Sequence, residues 1–122
     1  MHSILLVEDE VIISEPFGIV LRSQEYDVDI AANGIEALDF CANKTYDLIL
    51  LDIMMPYCNG IEFLKKAKLK AVAPTTKVIL MTNLSGGKEI DEAMSLGASK
   101  KLLKAKITPG LLIEMVKEEL GL

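Results

Sequence analysis

Short, uninterrupted apolar runs recur along the chain, separated by longer amphipathic stretches. Three runs of four apolar residues predict strands that are covered on both faces, as in a parallel sheet. They span residues 4–7, 48–51 and 78–81. The more amphipathic segment 26–31 and the short apolar pair 102–103 bring the number of predicted strands to five.

The stretches between these runs carry apolar side chains at helical spacing. The stripes are Ile13, Phe17, Val20 and Leu21; Ile35, Leu38 and Ala42; and Leu112, Met115 and Val116. Thr108 followed by Pro109 predicts the N-cap and first residue of the last helix. Gly97 predicts a left-handed end for the fourth helix, and Pro16 predicts a kink or a late start in the first.

This alternation of strand and helix, repeated five times, predicts an α/β fold with right-handed crossovers and a parallel sheet. The alternation alone does not fix the strand order. A length of 122 residues with 51% hydrophobic side chains predicts one domain spanning 1–122. Roughly two-thirds of the unfolded surface of such a chain is buried on folding, without structural metals or disulfides.

The chain is acidic, with a formal net charge of −5. No long basic patch is present, so we expect no direct binding of nucleic acid. No apolar stretch approaches the ~20 residues that cross a bilayer, so we expect no membrane association. With no export signal, Cys41 and Cys58 are expected to be free thiols, and a cytoplasmic location is the default.

Polar residues with complementary chemistry stand where the predicted strands end. Glu8 and Asp9 follow the first strand, and Asp52 follows the third. Thr82 ends the fourth strand and Lys104 follows the fifth. In open α/β sheets, ligands bind outside the carboxyl ends of the strands. The pattern therefore predicts one site built from all five residues.

Such a set suits phosphoryl chemistry. Carboxylates about 4 Å apart repel by roughly 4 kcal/mol at an effective dielectric constant of 20, and a hard cation such as Mg²⁺ relieves that repulsion. The Lys104 ammonium adds a positive charge and the Thr82 hydroxyl adds a hydrogen-bond donor. Asp52 is then an oxygen nucleophile able to form an acyl phosphate.

Several motifs, in this order and spacing, resemble the receiver domains of two-component response regulators along the whole chain. They are Leu6-Val7-Glu8-Asp9-Glu10, Ala32-Asn33-Gly34-Ile35-Glu36-Ala37-Leu38, Asp52-Ile53-Met54-Met55-Pro56 with Gly60, Met81-Thr82, and Gly97-Ala98 seven residues before Lys104. The resemblance implies a flavodoxin-like (CheY-like), doubly wound, five-stranded parallel sheet in the order 2-1-3-4-5, with helices on both faces.

The resemblance also implies roles. Asp52 would be the phosphoacceptor, with Thr82 and Lys104 contacting the phosphoryl oxygens. Asp9, Asp52 and the backbone carbonyl of Met54 would bind Mg²⁺ directly, and Glu8 would act through water. Pro56 and Gly60 would shape the loop after Asp52, where a tight turn needs backbone freedom.

The implied function is that of a regulatory switch and not of an enzyme with a separate substrate. Its partners would be a sensor histidine kinase or phosphotransfer protein and an output protein or domain. A phosphorylation-dependent dimer through the fourth helix, fifth strand and fifth helix is a further expectation.

Two positions depart from the family pattern. Ala105 stands where a proline usually follows the lysine, so we expect a trans Lys104–Ala105 peptide. Lys101 stands where the family has an aromatic switch residue. An ammonium group cannot enter an apolar gap unpaired, so we expect Lys101 to remain outward in both signalling states.

Other functions fit the residues less well. A pseudo-receiver that signals without phosphorylation would not need the complete set of five site residues. A haloacid-dehalogenase-type phosphatase has a second aspartate two residues after its nucleophile, where this chain has Met54. A flavin carrier of the same fold would meet an acidic loop after the first strand. Ser85-Gly86-Gly87 opens the fourth helix without the lysine of a Walker loop.

Overall fold

The computed structural model describes residues 1–122 and contains all five predicted strands. The strands are β1 (Ser3–Val7), β2 (Asp27–Ala31), β3 (Leu48–Asp52), β4 (Lys77–Thr82) and β5 (Lys100–Leu103). The helices are α1 (Val11–Ser23), α2 (Gly34–Asn43), α3 (Gly60–Ala67), α4 (Lys88–Ser95) and α5 (Pro109–Leu120). A single helical turn, Leu69–Val72, follows α3, and a 3-10 turn, Lys104–Lys106, follows β5.

The strands form one parallel sheet in the order β2-β1-β3-β4-β5, which confirms the predicted flavodoxin-like topology. The register places Val7 of β1 opposite Leu51 of β3, and Thr82 of β4 opposite Leu103 of β5. The carboxyl ends of β1, β3, β4 and β5 therefore meet at one edge of the sheet.

Each face of the sheet carries its own apolar core, because successive side chains of a strand point to opposite faces. Leu5 and Val7 pack with residues of α2, α3 and α4 on one face. Ile4 and Leu6 pack on the other face with residues of α1 and α5. This two-sided burial explains the unbroken apolar runs of β1 and β3. Full burial of one such side chain stabilises the fold by about 1.5–3 kcal/mol.

Local sequence signals at two helix ends are confirmed. The Thr108 side chain accepts a hydrogen bond from the backbone N–H of Leu111, and Pro109 is the first residue of α5. Gly97 follows α4 with a φ of 119°, a conformation that favours glycine. The buried residues of α5, Leu112 and Val116, belong to its predicted stripe.

The predictions for two helices hold only in part. α1 begins at Val11 and includes Pro16, so of the two alternatives predicted at Pro16 the late start does not occur, and the kink stays a prediction. The predicted stripe of α2 includes Ile35, which is 53% exposed. α2 instead turns Gly34 and Ala37 inward, because Gly34 lies against Cys58: a Cβ at Gly34 would be 2.5 Å from the Cys58 carbonyl oxygen.

No helix combines the length and hydropathy of a bilayer-spanning segment. Cys41 and Cys58 are both free, as predicted.

Candidate functional site

The carboxyl edge of the sheet brings Glu8, Asp52, Thr82 and Lys104 together. Asp52 and Thr82 are the last residues of β3 and β4, and Lys104 comes directly after β5. Asp52, Thr82 and Lys104 line one cavity of about 190 Å³. The rest of its lining consists of Glu10, Met54, Asn83 and Leu84.

Lys104 links the carboxylates of this edge. Its Nζ lies 2.7 Å from Glu8 Oε1, 3.2 Å from Asp52 Oδ2 and 3.3 Å from Glu10 Oε1. The side chains of Lys104, Glu8 and Asp52 are almost wholly buried. Burial alone would lower the pKa of Lys104, but the hydrogen bond to Glu8 and the charge of Asp52 outweigh it and raise that pKa. Lys104 is therefore a fixed positive charge next to Asp52.

The two buried carboxylates are held in an environment that disfavours their charge. Burial raises the pKa of Glu8 to about 7, although Lys104 opposes this change. Burial also raises the pKa of Asp52, against the opposing effects of Lys104 and of the Met54 N–H, which donates to Asp52 Oδ1 over 3.2 Å. One lysine thus does not fully compensate the negative charge of the site, so binding of a further cation would be electrostatically favourable.

The acidic segment after β1 fits a divalent cation. Carboxylate oxygens of Glu8, Asp9 and Glu10 lie within 4.8 Å of one another. Asp9 Oδ1 is buried and has no hydrogen-bond partner. A buried carboxylate oxygen without a donor is stabilised by a cation, and oxygen ligands are those that Mg²⁺ prefers. The residues present therefore suit Mg²⁺, which is typical of the family that this chain resembles.

Thr82 is fully buried at the end of β4. Its Oγ1 accepts a hydrogen bond from the backbone N–H of Leu84 over 3.1 Å. A hydroxyl has one donor and two acceptor positions, so Thr82 keeps its own O–H for an oxygen in the cavity.

The loop between β3 and α3 is held close to Asp52. A Cβ at Gly60 would lie 2.7 Å from the Asp52 carbonyl oxygen, so glycine is needed here for close approach and not for a positive φ. Met55 of this loop is buried in the apolar core that also contains residues of α2 and α3. Met54 lines the cavity with 61% of its surface exposed. The structure brings its N–H to Asp52, whereas a ligand role for its carbonyl stays a prediction.

Sequence reasoning missed two residues of the site. Glu10 belongs to the acidic run after β1, which was the available signal, but its contact with Lys104 depends on the direction of its side chain. Asn83 follows Thr82 and accepts a hydrogen bond through Oδ1 from the Ala105 N–H over 3.0 Å. No sequence pattern indicated that bond.

The two departures from the family pattern have defined geometry. The chain contains no cis peptide bond, so the predicted trans Lys104–Ala105 peptide is confirmed. Lys101 directs its Nζ away from the core to the Ser85 carbonyl oxygen, 2.6 Å away. This agrees with the outward position predicted for one state of the domain; the position in a phosphorylated state stays a prediction.

Comparisons with known proteins agree on one family. The sequence model of the response regulator receiver domain matches residues 4–117. Over 99% of its own length, the chain is 34% identical to the hybrid signal transduction histidine kinase B of Dictyostelium discoideum. It is 35% identical to the response regulator ArlR of Staphylococcus saprophyticus over 85% of its length. It spans only 7% and 46% of these two relatives, respectively.

Solved structures show the same fold. A CheY-like response regulator receiver domain protein from Methanospirillum hungatei is 30% identical, with a TM-score of 0.91 over 99% of this chain and 94% of the other. The chemotaxis protein CheY4 of Vibrio cholerae is 27% identical, with a TM-score of 0.88 over 97% of this chain and 98% of the other. The chain therefore belongs to the receiver domain family of response regulators, the regulatory domains of two-component systems.

Proposed function

We propose that residues 1–122 form one receiver domain that accepts a phosphoryl group on Asp52 in a Mg²⁺-dependent reaction and changes conformation to control an output partner. The observation that carries this proposal is the buried contact between Asp52 and Lys104 at the end of β3, in a cavity that Thr82 also lines. One small cavity is thereby lined by an oxygen nucleophile from Asp52, the fixed ammonium charge of Lys104 and the hydroxyl donor of Thr82.

The site residues divide the chemistry among them. An Asp52 carboxylate oxygen forms a bond to phosphorus while the bond from phosphorus to the donor breaks, and the leaving group keeps that electron pair. Lys104 and Thr82 contact the phosphoryl oxygens, so that their charge is neutralised where it develops. Asp9, Asp52 and the Met54 carbonyl would hold Mg²⁺, with Glu8 acting through water. When bound, the cation supplies positive charge to the transferring group.

The partners follow from the family. Relatives include a hybrid histidine kinase and transcriptional regulators, in which a receiver domain is one part of a longer chain. We propose a sensor histidine kinase or phosphotransfer protein as donor and an output protein or domain as target, in the cytoplasm. A phosphorylation-dependent dimer through α4, β5 and α5 belongs to the same proposal.

The test is phosphorylation by acetyl phosphate with Mg²⁺, followed by intact mass measurement. We expect the mass of one phosphoryl group on the parent protein, none on Asp52→Asn, and none on the parent in EDTA. Thr76→Ala, which changes a residue outside the cavity, is the control and should be labelled like the parent. Labelling of Asp52→Asn would contradict the assignment. An unlabelled but folded parent would favour a receiver that signals without phosphorylation.

A further inference from the structure

Glu10 is a third carboxylate at Lys104, and its exposure distinguishes it from the other two. Glu10 Oε1 lies 3.3 Å from Lys104 Nζ, and 54% of the Glu10 side chain is exposed. The side chains of Glu8 and Asp52, by contrast, are buried. Of the three, Glu10 is therefore the group that can leave Lys104 for solvent without a large rearrangement.

The direction of the Glu10 side chain is not explained by its own helix. Glu10 is the N-cap residue of α1, with extended backbone, yet its side chain makes no capping hydrogen bond. Ser, Thr, Asp and Asn are the side chains that ordinarily accept at this position from the first N–H groups of the helix, and the longer Glu is not among them. Here the carboxylate instead contacts Lys104, which lies 94 residues away in the sequence.

Glu10 also lines the cavity that contains Asp52 and Thr82. A phosphodonor has to reach Asp52 through the space beside this carboxylate, and it brings negative charge of its own. The interaction between two like charges at a partly exposed position is repulsive and scales with the charge of the donor.

We infer that Glu10 is a specificity-determining residue for phosphorylation of Asp52. Its carboxylate contacts Lys104 where a phosphoryl oxygen would contact it. The negative charge of Glu10 therefore disfavours dianionic small phosphodonors more than phosphodonors with less charge. This inference rests on the proposed function. With acetyl phosphate the leaving acetate keeps the electron pair of the broken P–O bond; with phosphoramidate, ammonia leaves with the pair of the P–N bond.

The test compares acetyl phosphate, a dianion near neutral pH, with phosphoramidate, a monoanion. Glu10→Gln preserves the shape of the side chain and removes its charge. At saturating Mg²⁺ we expect the initial rate with acetyl phosphate to rise about fivefold and that with phosphoramidate about twofold, the size of an exposed charge interaction. Added KCl should shrink both increases, because salt screens exposed charges.

Glu15→Gln is the matched control, since it removes the same charge from an exposed position further along α1. Both of its rates should equal those of the parent. An unchanged ratio of the two rates in Glu10→Gln, with a parent that both donors label, would overturn the inference and leave the proposed function intact. A parent that neither donor labels would refute the proposed function itself.

Discussion

Tyr57 lies in the loop between β3 and α3 with a φ of 66°, in the left-handed region that favours glycine. Its surface is 82% exposed, so packing within the domain does little to offset this conformation. The loop on either side is fixed by the buried Met55 and by the hydrogen bond from the Gly34 N–H to the Cys58 carbonyl. The backbone at Tyr57 is therefore set by its neighbours and not by its own side chain.

We expect Tyr57→Gly to raise the free energy of unfolding by about 0.5–1 kcal/mol, because relief of the left-handed strain exceeds the added entropy of the unfolded chain. Tyr57→Ala is the control, since alanine removes the ring and keeps the Cβ that causes the strain. Urea denaturation measures both variants. An equal gain in Tyr57→Ala would show that the ring, and not the backbone conformation, is responsible.

At the scale of single residues, the sequence predicted which strand-end side chains meet at the cavity and missed the contacts that their neighbours make. Asp52, Thr82 and Lys104 were predictable because each stands where a strand ends, and the parallel sheet carries those ends to one edge. Glu10 and Asn83 stand next to predicted site residues, but their contacts depend on side-chain directions that no local pattern encodes.

At the scale of elements, the loop between β4 and α4 is attached to the rest of the domain by both departures from the family pattern. Ala105 has a backbone N–H, which a proline would lack, and donates it to Asn83. Lys101 donates from Nζ to the Ser85 carbonyl. Since Leu84 of the same loop donates to Thr82, the loop and the proposed phosphoryl contact are physically connected.

We expect Lys101→Met to loosen this loop, because it removes the hydrogen bond to Ser85 and keeps an apolar stem of similar length. Amide hydrogen exchange of residues 84–87 should become faster, while labelling of Asp52 by acetyl phosphate persists. Lys101→Arg, which retains a donor, should exchange like the parent.

The sequence also predicts that Lys101 remains outward in both signalling states. Structures with and without beryllofluoride, which mimics the phosphoryl group, test this prediction. A buried Lys101 in the beryllofluoride-bound state, or unchanged exchange in Lys101→Met, would contradict the role of Lys101 as an outer attachment of the loop.

The elements themselves were predictable where burial is two-sided or where capping residues are local. The runs of β1 and β3 and the cap of α5 are of this kind. The inward face of α2 was not, because it is set by the contact between Gly34 and Cys58, which are 24 positions apart in the sequence. The turn Leu69–Val72 was missed as well; it follows Lys68, whose φ of 49° ends α3.

For the molecule as a whole, the proposed site places carboxylates at the buried edge of the sheet, and this has a consequence for stability. The pKa of Glu8 is about 7 in the folded protein, against 4.5 for the ordinary side chain, chiefly because of burial. The pKa of Asp52 is raised for the same reason. Between those two pH values the folded state binds a proton at Glu8 that the unfolded state has released.

The metal-free protein should therefore lose stability as pH rises from about 4.5 to about 7, by on the order of 3 kcal/mol for Glu8 alone. The stabilising contribution is fully present below the unfolded pKa and is lost as pH rises through the folded one. Urea unfolding in EDTA at about pH 5 and about pH 7.5 measures the difference. Glu8→Gln cannot titrate and should show a much smaller change, whereas the control Glu15→Gln should behave like the parent.

Mg²⁺ should act in the opposite direction from rising pH. The carboxylates of the metal-free site lie close together without a compensating divalent cation, and a cation that binds only the folded state stabilises it by mass action. We expect Mg²⁺ to raise the melting temperature of the parent at about pH 7.5, and to raise that of Asp9→Asn less, since Asp9 carries the buried oxygen without a partner.

In EDTA, Asp9→Asn and Asp52→Asn should melt above the parent, because each removes one negative charge from the cluster. Two results would contradict this account: a parent that becomes more stable between pH 5 and 7.5 in EDTA, or an Asp9→Asn variant that melts below the parent in EDTA. Either would show that the charges of the carboxylates are compensated within the fold, so that the site needs no cation.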